Sequence, residues 1–264
     1  MILQKLHAEL DATIQYRIID EEKNKILLND FIEKKIKILW NGKIICRTCS
    51  NLTKKSFGEG FCYSCFMSAP EAAPCILRPE LCEAHLGRGR DIEFEERNHN
   101  QPHIVYFTAN DFIKVGITRS TQRPTRWIDQ GAAQAIEIAN VPNRYSAGII
   151  EVAMKSFYSD RTNWRSMLTN KKDDSIDLGE EKWRIAELLP QDLTQFWSDN
   201  DEIVELQYPV PQYPQKVSSI GLEKTPLIQG TLTGIRGQYL YLDGNKVFNV
   251  RKHTSYEVQL HLDD

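Results

Sequence analysis

The sequence predicts an α+β protein in which a cysteine-bearing region leads into a small sheet with helices, flanked by a β module at each end. Three observations predict this class. Runs rich in Val, Ile, Tyr and Phe occur at Ile104–Thr108, Phe112–Thr118 and Ala135–Asn140, as in short strands. From Ser146 onwards, apolar residues recur at helical spacing. Two Cys-x-x-Cys pairs precede the first of these runs.

The pattern divides the chain into five segments. Residues 1–45 form an N-terminal β module, with a turn expected at Asn41-Gly42. The others are a zinc-binding region at 46–102, an α/β core at 103–168, a helical connector at 169–202 and a small β module at 203–264. The last module is a small barrel or a sheet completed by residues 1–45. An OB-like barrel would present Arg236, Arg251 and Lys252 to nucleic acid, whereas a purely structural module is the alternative.

Composition narrows the class of protein. The 264 residues carry a net charge of −3, but residues 103–168 hold eight Lys and Arg against five acidic residues, which leaves −6 for the rest. A basic segment on an acidic protein hints at an anion-binding site, and an ordinary solvated face is the alternative. No apolar run is long enough to span a membrane and no signal-peptide core is present, so we expect a cytoplasmic protein. In a reducing compartment, paired cysteines indicate metal binding rather than disulfides.

The strongest local motif is a set of four cysteines in two Cys-x-x-Cys pairs, with Thr53–Gly60 as the turn between them. Two such pairs let four thiolates converge on one zinc ion and close its coordination sphere, as in a zinc ribbon. The predicted site is therefore structural, and a redox role of the pairs is the weaker interpretation. Its ligands are Cys46, Cys49, Cys62 and Cys65.

A second group of potential zinc ligands follows in the same region. One zinc would take at most four of them, and the alternative is buried cysteines with histidines that bind nothing. The loop Arg88-Gly89-Arg90 suits phosphate contact, but the acidic run Asp91–Glu96 is expected to pair with its arginines. The candidate ligands are Cys75, Cys82, His85, His99 and His103.

The order of hairpin, arginine-bearing helix, third strand and a helix with one carboxylate resembles the core of the GIY-YIG nuclease superfamily. The resemblance implies catalytic roles for Tyr106, Lys114, Arg126, Glu151 and Asn163. Tyr106 and Lys114 would orient or deprotonate the nucleophile and Arg126 would stabilise charge on the phosphate. Glu151 would bind Mg²⁺ or Mn²⁺. Lys114 stands where the second motif of that superfamily has a tyrosine.

Each of these residues also has a simpler interpretation. Tyr106 can be a packed strand tyrosine, and Lys114 and Arg126 can be solvent-facing cations. Glu151 can pair with Lys155 one helical turn later, and Asn163 can be a helix cap.

Five strings of sequence together resemble an uncharacterised bacterial family, a domain of unknown function. They run nearly from end to end of the chain and indicate architecture more than activity. They are Cys46–Cys65, KVGITR, RWIDQGA, TNWRSML and GIRGQYLYLDGNKVFNVRKH.

The sequence thus supports a zinc-containing nucleic-acid-processing protein, with metal-dependent phosphodiester cleavage by an endonuclease as the first hypothesis. The alternatives are a non-catalytic zinc-dependent module that binds DNA or RNA, and a protein–protein adaptor. Salt-sensitive nucleic-acid affinity would separate the adaptor from the other two.

Overall fold

The computed structural model describes residues 1–159, 161, 163–187, 191 and 193–263. The chain forms two compact units. The first consists of 1–67, 128–131 and 207–264, and the second of 68–127 and 132–206. Among the described residues, no helix is both long enough and apolar enough to cross a bilayer.

The described residues contain fourteen strands and six α-helices, so the α+β class is confirmed. The strands are β1 (His7–Glu9), β2 (Gln15–Ile19), β3 (Lys25–Leu27), β4 (Lys35–Ile45), β5 (Leu52–Thr53), β6 (His103–Ala109), β7 (Ile113–Arg119), β8 (Gln134–Val141), β9 (Val204–Glu205), β10 (Ser218–Ile220), β11 (Leu227–Arg236), β12 (Tyr239–Leu242), β13 (Lys246–Asn249) and β14 (Tyr256–Leu262). The helices are α1 (Tyr63–Ser68), α2 (Ile92–Asn98), α3 (Arg123–Asp129), α4 (Arg144–Met154), α5 (Trp164–Leu168) and α6 (Leu178–Ala186).

The first unit joins the two ends of the chain in one sheet. Its strand order is β10-β13-β12-β11-β4-β14, with β5 paired to β4, and β1-β2-β3 form a separate sheet. Strand β4 lies between β11 and β14, antiparallel to both. Of residues 1–45, strand β4 therefore completes the sheet of the C-terminal strands, as one of the two alternatives predicted. Ile36 and Ile38 of β4 are buried, because alternate side chains of a strand point to the same face.

The turn expected at Asn41-Gly42 is instead an irregularity inside β4. The strand runs through both residues, and its register with β14 shifts between Tyr256 and Val258. Gly42 has a φ of +86°, which a residue without a side chain adopts easily, so the strand bulges and continues.

Arg236 is buried, contrary to the surface position expected for it. Its side chain is 1% exposed, and its Nε and Nη2 donate hydrogen bonds to the carbonyl oxygen of Gly131 at 3.1 and 2.9 Å. The guanidinium also lies over the ring of Tyr208, 4.8 Å from its centroid. Arg236 is therefore part of the core of the first unit and cannot contact nucleic acid from this position.

The second unit is built on an antiparallel sheet of order β7-β6-β8-β9. All residues of the central strand β6 are buried, which explains the nearly continuous apolar run of its sequence. Helix α4 follows β8 and packs Ala147, Ile150 and Met154 into the same apolar cluster as Phe107 and Val115 of the sheet.

Helix caps define where the helices of this unit begin. Asn143 caps α4, Asn163 caps α5 and Asp177 caps α6 through side-chain oxygens that accept backbone N–H groups. A helix was expected at Glu180–Leu189 with a stop at Pro190, and another turn at Asp192–Trp197. Residues 188–190 and 192 lie outside the described residues.

Gly148 of α4 offers a test of this packing. A Cβ atom at this residue would lie 2.4 Å from the backbone nitrogen of Glu80, which cannot move aside as a side chain can. We expect Gly148→Ala to lower the free energy of unfolding by about 1–3 kcal/mol. This expected loss is opposite to the usual effect, since alanine in a helix is normally more stable than glycine. Urea unfolding monitored by circular dichroism measures this change.

Gly179→Ala in α6 is the matched control, since the nearest atom to its added Cβ is the Asp177 side chain at 3.2 Å. This control should leave stability nearly unchanged. Equal effects of the two substitutions would contradict the close backbone contact at Gly148.

Candidate metal centres

The four predicted cysteine ligands meet in the first unit. The sulfur atoms of Cys46, Cys49, Cys62 and Cys65 all lie within 4.8 Å of one another, and the Cys49 and Cys62 sulfurs are 3.9 Å apart. Tetrahedral zinc with bonds of about 2.3 Å places its sulfurs about 3.8 Å apart, whereas a disulfide needs about 2.05 Å. The cluster can therefore hold one zinc ion.

Tight backbone turns bring the two cysteine pairs together. Phe57 and Phe61 form a short antiparallel bridge that closes the loop between the pairs. Gly60 has a φ of +115°, and a Cβ at this residue would lie 2.4 Å from the hydroxyl oxygen of Ser255. Only glycine fits this turn, which sets the direction of the chain as it enters Cys62.

Backbone N–H groups favour the thiolate of Cys46. The backbone nitrogen of Cys62 donates to the Cys46 sulfur at 3.3 Å. Burial alone would raise the pKa of Cys46, but hydrogen bonds from the backbones of Cys49, Cys62 and Thr48 lower it to about 6. A thiolate is the form that binds metal, so the Cys46 sulfur can bind zinc at neutral pH.

A second cluster lies in the second unit, with a ligand set that differs from the predicted one. Cys75, Cys82, Glu95 and His99 place their ligand atoms within 4.8 Å of one another, and all four residues are buried. The Cys75 sulfur lies 3.9 Å from Nδ1 of His99, and Glu95 contacts the same nitrogen. Glu95 was not among the candidates predicted from the sequence.

Helix α2 explains why Glu95 belongs to this cluster. Asp91 caps the helix by accepting a hydrogen bond from the Phe94 backbone at 2.8 Å. Residues four apart on a helix face the same way, so Glu95 and His99 point together at the cysteines. The spacing Glu95-x3-His99 after a capping aspartate was the sequence signal for this pair.

The other two predicted histidines lie outside this cluster. The ring of His85 stacks on Tyr145, with centroids 4.5 Å apart. His103 is fully buried, and its Nδ1 donates a hydrogen bond to the carbonyl oxygen of Gln101 at 2.7 Å. Burial lowers the pKa of His103 to about 4, so the ring is neutral near pH 7.

The residues for which catalytic roles were predicted lie in and around the central sheet of the second unit. Tyr106 is fully buried and meets the edge of Trp127, with centroids 5.9 Å apart. A Cβ at Gly116 would lie 2.7 Å from the Tyr106 hydroxyl, so glycine is required there. Lys114 is buried on β7, and its backbone forms an isolated parallel β-bridge with Ser159.

Three charged side chains from α3 and α4 share one electrostatic neighbourhood. Burial lowers the pKa of Arg144 most, Glu151 opposes this decrease and Arg126 adds to it. Glu151 is 8% exposed, and its Oε2 lies 3.3 Å from Nζ of Lys155. The ion pair that was the simpler interpretation of Glu151 is therefore present, and Arg126 and Arg144 lie near it.

Asn163, the last of the predicted residues, and Arg123 on α3 both serve the local structure. Asn163 caps α5 by accepting a hydrogen bond from the Ser166 backbone at 3.3 Å. Arg123, next to Arg126 on α3, donates to Glu137 at 2.9 Å. Burial would raise the pKa of Glu137, but hydrogen bonds from Ser198, Arg123 and Asn140 hold it below its ordinary value. Arg123 is thus engaged in an internal ion pair.

Fold and site together define an α+β protein with a four-cysteine cluster that can hold zinc and a second cluster of mixed ligands. The chain belongs to the family described as "Protein of unknown function (DUF2797)", which matches residues 33–258. No curated protein and no solved structure matches the chain.

The four-cysteine cluster can be tested by metal analysis. We expect Cys49→Ser to lose one equivalent of zinc, because three thiolates and a hydroxyl hold zinc more weakly than four thiolates. Inductively coupled plasma mass spectrometry on the purified protein measures the zinc content. Tyr63→Phe, at an exposed neighbouring residue, is the control and should keep the metal. Unchanged zinc content in Cys49→Ser would refute the assignment.

The neutral, buried His103 predicts a pH dependence of stability. Its folded pKa of about 4 lies below the ordinary 6.5, so the unfolded chain takes up the proton first as pH falls. The contribution is complete above pH 6.5 and decreases toward pH 4, with a loss of about 2 kcal/mol at pH 5.

His103→Asn keeps a donor for Gln101 and cannot titrate, so its stability should decrease less than that of the wild type between pH 7 and pH 5. Urea midpoints at the two pH values measure the difference. His261→Asn, at an exposed histidine, should behave as the wild type. Parallel pH curves for the wild type and His103→Asn would contradict the neutral buried ring.

Proposed function

We propose that this protein is a zinc-containing nucleic-acid-processing protein whose second unit cleaves phosphodiester bonds with a divalent metal, in the manner of GIY-YIG nucleases. The observation that carries the proposal is the placement of Glu151. It lies on the helix that follows the third strand of an antiparallel β7-β6-β8 sheet, with Arg126 and Arg144 in its electrostatic neighbourhood. A carboxylate among cations suits a metal ion and a phosphate together.

The charges near Glu151 would bind the scissile phosphate. Arg126, half-buried at α3, would stabilise the negative charge that develops on the phosphate oxygens. Lys155 now pairs with Glu151 and would turn to a phosphate oxygen when substrate binds. The fixed position of α3 and α4 against the sheet would hold these groups in place before the reaction.

Glu151 fits the way in which Mg²⁺ or Mn²⁺ is usually held at phosphate-processing sites, by one or two carboxylates together with substrate oxygens and water. The metal would neutralise charge on the leaving oxygen. Tyr106 and Lys114 lie on paired neighbouring strands, where Tyr106 is opposite Gly116 and Lys114 is opposite Thr108. They would orient the attacking hydroxyl or water.

A second function is favoured by a specific observation. Lys114 replaces the tyrosine that the resemblance would place there, and Glu151 already has a cationic partner in Lys155. Both features suit a module that binds DNA or RNA through its cations without cleaving it. The two functions differ in their need for a divalent metal at Glu151.

The test uses labelled single- and double-stranded DNA and RNA, incubated with the purified zinc-loaded protein and Mg²⁺ or Mn²⁺. We expect cleavage that Glu151→Gln lowers at least about 100-fold and that Arg126→Ala lowers by about 10²–10³-fold. Gel electrophoresis of the products measures the rate. Glu180→Gln, at an exposed carboxylate of α6, is the control and should cleave as the wild type does.

Binding measured across a range of salt concentrations separates the remaining outcomes. Affinity that falls with salt, without any metal-dependent cleavage, would reject the nuclease and leave the binding module. Neither binding nor cleavage would reject both functions and favour a protein–protein adaptor.

A further inference from the structure

The structure assigns a second zinc centre to this protein, with Cys75, Cys82, His99 and Glu95 as its ligands. Glu95 supplies the fourth ligand that the predicted set had sought in His85 or His103. This inference does not depend on the proposed function, because it concerns metal binding alone.

The ligand atoms of the four residues lie close together. Two thiols, one carboxylate and one imidazole bring their ligand atoms within 4.8 Å of one another. Tetrahedral zinc bound by sulfur, nitrogen and oxygen places its ligands about 3.3–3.8 Å apart, so small adjustments would complete the geometry. Two soft sulfurs with one imidazole and one carboxylate suit zinc better than magnesium or calcium.

Burial is the second argument. Cys75 is 7% exposed, Cys82 2%, and Glu95 and His99 3% each. A carboxylate removed from water beside two thiols needs partners for its charge, and the contact with Nδ1 of His99 supplies one of them. The guanidinium of Arg144 does not serve this carboxylate directly, since its Nε and Nη2 donate to the carbonyl oxygens of Cys75 and Ile76 at 3.0 and 2.9 Å. A divalent cation among the four ligand atoms would balance it.

The surrounding chain is built to present these ligands. Two short 3₁₀ turns, Pro74–Ile76 and Pro79–Leu81, position the cysteines, and α2 presents Glu95 and His99. A pocket of about 440 Å³ has both Cys75 and Glu95 on its wall. Two of the four ligand residues therefore border an open pocket, and a metal site needs a route by which the ion enters.

Gly89 supplies a sharp way to test the carboxylate. A Cβ built at Gly89 would lie 2.3–2.7 Å from the Cγ, Cδ and Oε1 atoms of Glu95. If Glu95 were shortened to alanine, a cysteine at residue 89 would point its sulfur into the space that the carboxylate had occupied. A thiolate could then replace the lost ligand.

The zinc centre would also fasten residues 74–82, which lie against α4, to α2. Arg144 binds the carbonyl groups at Cys75 and Ile76, and Gly148 lies against the backbone of Pro79 and Glu80. These contacts hold the segment on the helix that carries Glu151, and the cysteines at 75 and 82 hold the same segment to α2 through the metal. Loss of the metal would therefore loosen the covering of α4.

The experiment measures zinc in the full chain, with Cys49→Ser present to remove the four-cysteine centre. We expect two equivalents of zinc in the wild type and one in Cys49→Ser. Adding Glu95→Ala should reduce the remaining equivalent to well below one, and adding Gly89→Cys as well should restore it. Glu93→Ala, at an exposed carboxylate of α2, is the control and should keep the zinc.

Cobalt substitution gives a readout that a merely structural effect of the mutations would not produce. Sulfur-to-cobalt charge-transfer absorption grows with the number of thiolate ligands. It should therefore be stronger in the rescued variant, with three thiolates, than in Cys49→Ser alone, with two. Thiol titration of Cys49→Ser under denaturing conditions should find Cys75 and Cys82 reduced.

Several outcomes would overturn the assignment. One equivalent of zinc in the wild type would remove the second centre, and a disulfide between Cys75 and Cys82 would replace it. Loss of zinc on His85→Ala or His103→Ala, with zinc kept on Glu95→Ala, would transfer the fourth ligand to a histidine. Failure of Gly89→Cys to restore zinc, with the protein still folded by circular dichroism, would contradict the proximity of residue 89 to the metal.

Discussion

The chain between residues 46 and 102 has almost no apolar core of its own. Its fold therefore depends on the two places where its potential metal ligands meet. All residues from 46 to 102 are described, and Phe61 is their only large apolar side chain that is fully buried. The other buried apolar residues of the segment are alanines, cysteines and a proline, and α1 buries none of its residues. A segment with so little apolar burial needs another source of stability, and metal binding supplies it in many small domains. Both cysteine clusters fall within this segment.

Local patterns in the sequence predicted the elements of the second unit well. The apolar spacing from Ser146 predicted α4. The helix begins two residues earlier, at Arg144, because Asn143 caps it. The three β-type runs correspond to β6, β7 and β8, because their composition reflects burial on a sheet. Pairing over long distances was not predictable in this way. That β4 would lie between β11 and β14 depends on contacts between chain ends, which no local window contains.

The candidate sites show the same difference between features set by local sequence and features set by distant contacts. The four-cysteine cluster was predictable because two Cys-x-x-Cys pairs place their sulfurs close together through short covalent paths. Glu95 was missed because its acidic run was expected to pair with neighbouring arginines, and only the turn of α2 brings it to His99. Arg236 shows the same limit, since a charged residue in a β-type run is expected on the surface. Its burial follows from a carbonyl oxygen and a tyrosine ring that come from distant parts of the chain.

In the proposed function, Lys114 bears on whether the protein would cleave nucleic acid or only bind it. Arg126, Arg144 and Lys155 place three cationic side chains near Glu151, and these cations would serve phosphate binding in either proposed function. Cleavage also needs a group that accepts a proton, and a charged lysine has no free lone pair for one. A neighbouring positive charge favours the neutral form of a lysine, and burial acts in the same direction. Burial is therefore a requirement for a lysine that acts as a base, and Lys114 on β7 is 7% exposed.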